Sequence, residues 1–187
     1  MKNKNIALTS IFTALVIVLQ MMGSFIRLGQ FSISLTLVPI VVGACILGPL
    51  VGAWLGFVFG MVVLLSGDAA LFISFSFVIT VLVVLLKGTL AGFVSGVIYK
   101  TLHNKNQLVA TILASIACPL VNTGIFIIAC LTFYNNGLGE LAGSSSFTNL
   151  LSFVLIYMVG GNFIFELLIN ALLSPTILKV INMYKKR

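Results

Sequence analysis

The chain has 187 residues, of which 60% are hydrophobic and 7% charged, with a formal net charge of +7 and a mean hydropathy of +1.26. So few charges exclude a water-soluble domain of this length and point to an all-α integral membrane protein. The positive charge would suggest nucleic acid in a soluble protein, but here it is gathered into three clusters that set topology instead: Lys2 and Lys4; Lys100, His103 and Lys105; Lys179, Lys185, Lys186 and Arg187. The positive-inside rule puts all three in the cytoplasm, with both termini inside and an even number of spans. At about 20 residues per span, the length accommodates six transmembrane helices in a single membrane domain, 1–187, with no soluble domain.

The first span is expected over 6–25. It is too long an apolar stretch for a cleaved signal peptide and has no small-x-small site before a polar region. Its inner part carries Ser10 and Ala14, a small-x-x-x-small pair suited to close helix packing. An outer loop, 26–31, holds Arg27, which breaks the inside rule and is either an interface anchor or a ligand contact. Ser32 to Leu37 alternates polar and apolar and leads into a second span over 36–47, with Pro39 near its start, where a missing N–H costs little. Gly48-Pro49 makes a short turn into a third span, 49–66.

That third span carries the strongest pattern in the chain. Gly48, Gly52, Gly56 and Gly60 recur every fourth residue, which on a helix is one stripe without side chains. Small residues let two membrane helices approach to backbone contact, so the stripe predicts a tightly packed partner. A weaker copy follows at Gly88, Gly92 and Gly96. Gly67-Asp68 reads as an outer turn, with Asp68 either a turn residue or a group closing a site from outside.

A fourth span is expected over 70–99, long enough to require tilt or an irregular outer segment. The fifth follows over 108–133, and the sixth over 149–173. Between the last two, Tyr134 to Thr148 is the longest polar stretch and reads as a mobile outer loop. Cys45, Cys118 and Cys130 each sit in an apolar run without metal-ligand spacing, and read as packing residues.

Charge at membrane depth costs about 2.5–3.5 kcal/mol per residue on insertion scales. Lys87 and Glu166 stand at such depth, with Asn122, Asn162 and Asn170 as polar company. Asn162, Glu166 and Asn170 are spaced by four and share one helix face. Counted from the basic ends of their helices, Lys87, Asn122 and Glu166 each lie roughly 20 Å up. They share a level, either as a self-satisfying Lys87–Glu166 ion pair or as a binding cavity between the last three spans. A lysine there favours an anionic ligand, and the carboxylate and amides favour hydroxyls and amides. No phosphate-binding loop, zinc motif or nucleophile elbow is present, so no enzyme activity and no cofactor are expected in the chain itself.

The stretch Ile33-Ser34-Leu35-Thr36-Leu37-Val38-Pro39-Ile40-Val41-Val42-Gly43-Ala44, then Leu47-Gly48-Pro49-Leu50-Val51-Gly52-Ala53, resembles the second and third helices of the substrate-binding S component of energy-coupling-factor (ECF) vitamin transporters. Size and topology resemble that family over essentially the whole chain. The resemblance implies a high-affinity vitamin-binding subunit of an ECF-type ABC importer in the bacterial cytoplasmic membrane. Its partners would be a transmembrane coupling protein and two ATPases, which use the ATP. It implies docking through the first helix, where Ser10-x-x-x-Ala14 stands for the family's Ala-x-x-x-Ala. It implies a ligand site near the outer side, with Arg27, Lys87, Asn122, Asn162 and Glu166 as the candidates by position. Leu86 to Gly92 and Pro119 to Gly124 look most like the pantothenate member; pyridoxine, riboflavin and folate are the other vitamins to weigh. A standalone facilitator or secondary transporter is the rival reading, and would more often show internal repeats.

Overall fold

A computed structural model describes residues 2–24, 27–28, 31–32, 35–144 and 149–185. The chain folds as α1 (Lys2–Gly23), a hairpin of β1 (Arg27–Leu28) and β2 (Phe31–Ser32), α2 (Leu37–Leu47), α3 (Pro49–Leu65), α4 (Ala70–Phe75), α5 (Phe77–Leu102), α6 (Gln107–Thr132), α7 (Asn135–Ser144) and α8 (Leu150–Ser152). A wider π-helical stretch, Phe153–Gly160, then joins α8 to α9 (Gly161–Lys185). Four helical segments are long and apolar enough to cross a membrane: Asn3–Gly23, Phe77–Leu102, Gln107–Thr132 and Leu150–Tyr184. α2 and α3 are shorter apolar helices.

The glycine stripe finds its partner in α5. A Cβ on Gly56 would run into the carbonyl of Gly88, and one on Gly92 into the carbonyl of Gly52. Further along, a Cβ on Gly60 would lie 2.8 Å from the Val84 carbonyl oxygen, and one on Gly96 2.6 Å from the Pro49 Cα. The two glycine runs therefore interdigitate antiparallel, backbone on backbone, a contact that any side chain would prevent. Gly48, at φ +101°, turns the chain between α2 and α3, in a conformation that costs glycine nothing. Pro49 then occupies the first turn of α3, where its missing N–H has no partner to lose.

Two apolar cores flank the middle of the bundle. One joins α2, α3 and the ends of α5, α6 and α9, with Leu37, Ile40, Leu55, Tyr99, Ala110, Ile177 and Ile181 buried in it. The other gathers Phe72, Cys130, Tyr134, Leu138, Phe153 and Met158 at the opposite end. The termini meet: the Tyr184 hydroxyl donates to Asn5 Oδ1 at 3.2 Å, and the Lys4 ammonium lies 4.9 Å from the Tyr184 ring centroid. Cys45, Cys118 and Cys130 are free and buried.

Several segments differ from the sequence expectation. The fourth span is two helices broken at Ser76, whose backbone is extended (φ −161°, ψ 113°). The break turns α4 inward, so that Phe72 packs edge-on against Phe126 and Tyr134, each with centroids 5.1 Å away. The expected outer loop carries α7, held by buried Leu138 and by Phe75 against Gly137; residues 145–148 lie outside the described ones. An apolar anchor spaced along a glycine-rich stretch was enough to order it. The last helix does not stop near Leu173 but continues to Lys185 through Pro175. The Ser174 hydroxyl donates at 2.7 Å to the Ala171 carbonyl, the acceptor four residues back that proline leaves without its helical N–H.

Candidate functional site

Between the two cores the helices stand apart around a cavity. Its walls come from Gln20 of α1, Phe59 and Val63 of α3, the Asp68-Ala69 turn, Phe72 of α4, Thr80 to Lys87 of α5, Asn122, Thr123 and Phe126 of α6, Tyr134, and Met158 to Glu166 on the last helix. The centre of a water molecule can move through about 90 Å3 of it, several waters' worth where one needs about 10–15 Å3. The expectation placed the site between the last three spans; the structure adds α1 and α3 to its walls.

The last helix presents its polar face through a change of winding. Phe153 and Val154, then Met158 and Val159, are buried at a spacing of five, the repeat of a π-turn. Gly160 and Gly161 follow immediately. Asn162 and Glu166 then come up facing the cavity, and Asn170 lies one turn below, fully buried.

Lys87, Asn122, Asn162 and Glu166 all line this one cavity. The Lys87 and Glu166 side chains do not meet as the ion pair allowed by the sequence; the ammonium lies over two rings instead, 5.3 Å from the Phe126 centroid and 6.0 Å from that of Phe59. Both groups line the same cavity, Lys87 from α5 and Glu166 from α9. Ring faces attract a cation but supply no hydrogen-bond acceptor, so the ammonium keeps its donors for whatever fills the cavity. Glu166 is 4% exposed and accepts a long 3.4 Å bond from Asn162 Nδ2. Asn170 Nδ2 donates at 2.9 Å to the Glu166 backbone carbonyl. The side-chain carbonyl oxygens of Asn122, Asn162 and Asn170 are buried without a hydrogen-bond partner among the described residues. Buried acceptors left this way cost about 1–3 kcal/mol each, a debt that a ligand or water with donors would remove.

Asp68 is more than a turn residue. Gly67, at φ +81°, turns the chain just ahead of it. Its Oδ2 accepts from Gln20 Nε2 at 3.0 Å, from the Ser24 hydroxyl at 2.6 Å and from the Ser66 hydroxyl at 3.0 Å. Gln20 Oε1 in turn accepts from the Thr36 hydroxyl at 3.1 Å. One carboxylate thus ties the C-terminal end of α1 to the α3–α4 turn and, through Gln20, to the start of α2. The sequence reading missed Gln20; a lone amide deep in the first apolar span was its available signal. It also missed Thr80, whose hydroxyl meets the Tyr134 hydroxyl at 2.7 Å in the cavity wall.

Arg27 stands in the hairpin opposite Ser32, and its side chain lies outside the described residues. Ser10 and Ala14 are exposed on α1 and edge a shallow groove shared with Val51 and Trp54 of α3. The Ser10 hydroxyl folds back onto the Ile6 carbonyl at 3.1 Å, which keeps that face smooth. Trp54 lies off the glycine stripe: it is 49% exposed and its ring N–H donates to the Thr13 hydroxyl at 3.2 Å. It points away from the cavity because it sits two residues from the stripe on either side.

The family model described as "ECF transporter, substrate-specific component" matches residues 4–178. The chain belongs to this family. It is thus a multi-pass membrane protein and a substrate-binding transport subunit, not an enzyme. Membership implies a vitamin substrate and partnership with an ECF module of ATPases and a transmembrane component. Among solved structures, ThiT from Listeria monocytogenes matches with a TM-score of 0.70 and 22% identity, over 98% of this chain and 97% of that one. At that identity the likeness establishes the fold of this S component. No curated protein sequence matches it.

Proposed function

We propose that this S component captures a small carboxylate vitamin, pantothenate fitting best, from outside the bacterial cytoplasmic membrane. It crosses the membrane six times, with both termini in the cytoplasm, and passes its cargo inward after docking through the Ser10–Ala14 face of α1. The observation that carries the ligand class is the Lys87 ammonium, set over the Phe126 and Phe59 rings with its hydrogen-bond donors unused. A carboxylate would take those donors as charge-assisted bonds. The unpartnered carbonyl oxygens of Asn122 and Asn162 call for donors, which the hydroxyls and amide N–H of pantothenate supply. The meeting of the termini supports a common side for the N- and C-terminal basic clusters, and the positive-inside rule makes that side cytoplasmic.

A second reading, a flat ring-bearing vitamin such as pyridoxine or riboflavin, draws on the aromatic cluster of Phe72, Phe126 and Tyr134 beside the cavity. Calorimetry on the detergent-purified chain against pantothenate, pyridoxine, riboflavin, thiamine, biotin and folate separates the two. Submicromolar binding of pantothenate, lost in Lys87→Ala, is the expected result. Tight binding of a ring vitamin with no response to pantothenate would replace the first reading by the second.

A further inference from the structure

We propose that Gly160 is a positioning residue for the substrate site: it admits one extra residue into the last helix, and that residue sets Asn162 and Glu166 on the cavity wall. The inference rests on the cavity being the substrate site, as read above. Counted back along an uninterrupted α-helix, the residue above Asn162 and Glu166 is Leu155, within about 20° of both. Phe153 would then lie about 140° or more from either. The structure shows the reverse. Phe153 and Val154 are buried in the core that holds Phe72 and Tyr134, while Leu155, Ile156 and Tyr157 are exposed. The π-helical stretch Phe153–Gly160 makes up the difference. A π-turn closes five residues back where an α-turn closes four, so one more residue is taken up before the polar face begins. Without it, either Phe153 and Val154 or Asn162 and Glu166 would turn away from their places.

Of the two adjacent glycines, the first permits this winding. A Cβ on Gly160 would lie 2.8 Å from the Leu155 carbonyl oxygen, five residues back, which is the acceptor position of a π-turn. A Cβ on Gly161 meets nothing within 4 Å. Neither glycine has a positive φ, so backbone freedom is not what Gly160 supplies; it supplies room for the wide turn to close.

The test uses full-length purified variants, each read by pantothenate binding and by the unfolding midpoint without vitamin. Gly160→Ala should weaken binding about tenfold or more, the loss of a polar contact to a charged group; Gly161→Ala should leave it unchanged. Removing Ile156 from the Gly160→Ala chain takes out the extra residue and should restore most of the lost affinity, a rescue that a merely destabilising substitution would not allow. Equal effects of the two alanines, or no recovery on removing Ile156, overturns the role. If the wild type binds another vitamin instead, that vitamin takes the place of pantothenate in the same comparison. If it binds none, the substrate reading fails and the vitamin-free midpoints still decide the winding. Removing Ile156 from the wild type should then leave a folded, monodisperse chain. Removing Leu168, also exposed but within α9, turns one part of the helix about 100° against the other and should not. Tolerance at Ile156 alone upholds the extra residue, and equal damage at both positions removes it.

Discussion

Along one side of α5, Gly88, Gly92 and Gly96 bring its backbone onto α3; along another, Thr80, Val83, Val84 and Lys87 stand back from α6 and the last helix around the cavity. Gly88 and Lys87 are adjacent in the chain. About 100° of helical rotation separates them, and with it the tightest helix contact from the emptiest space. The α3–α5 pair gains stability from dispersion at backbone distance and has no polar group to satisfy. The cavity side keeps an unmatched ammonium and unmatched amide oxygens, which cost stability until something fills them.

The contrast is easiest to break at its tight side. Gly56→Leu drives a side chain into the Gly88 backbone and should destabilise by about 3 kcal/mol or more, read as a lowered unfolding midpoint or loss of a monodisperse peak in detergent. Lys87→Ala should do the opposite kind of damage. The chain should stay folded and extractable, while affinity for the vitamin falls about 10- to 150-fold, the equivalent of one hydrogen-bonded charge; unchanged affinity would move the site elsewhere.

Asp68→Ala tests the rim. It leaves the Gln20, Ser24 and Ser66 donors without their shared acceptor, at a cost of about 1–3 kcal/mol. Stopped-flow binding should show faster ligand release with the order of vitamin preference unchanged; an altered order would make Asp68 a ligand contact. Asn122→Leu sharpens the comparison with a sign change. Removing an unmatched buried carbonyl should stabilise the ligand-free chain by about 1 kcal/mol, read as a raised unfolding midpoint, while weakening substrate binding. The smallest effect belongs to Gly124→Ala, since a Cβ there meets nothing within 4 Å; it should stabilise by at most about 1 kcal/mol, the helix-propensity gain, in contrast to any substitution at Gly56.

Glycine spacing every fourth residue needs no tertiary information, because one helix rotates about 400° in four residues and the stripe follows. For that reason the α3 stripe, its need of a partner and the second run on α5 were legible in the sequence. The common level of Lys87, Asn122 and Glu166 came from the same arithmetic, counted from basic residues that mark one surface. Counting rise along an axis gives depth but not azimuth. Whether Lys87 turns toward Glu166 or toward Phe59 and Phe126 depends on how α3, α5, α6 and α9 rotate against one another, and only packing sets that.

The same limit explains the other differences. Gln20, Asp68 and Thr36 lie far apart in the chain and meet only because α1, α2 and the α3–α4 turn converge. α7 is ordered by Leu138 and by Phe75 on Gly137, contacts across elements that a polar, glycine-rich stretch does not announce. The last helix runs past the expected end at 173 and through Pro175, with the Ser174 hydroxyl satisfying the carbonyl that the proline frees. The sequence by itself determined the membrane class and the spacing of small and charged residues along each helix, and its Ile33–Ala53 stretch carried the resemblance to the family that the match over residues 4–178 then showed. The tertiary structure decided which of those residues face one cavity and which find partners, because a side chain's surroundings are made by helices that local pattern does not orient.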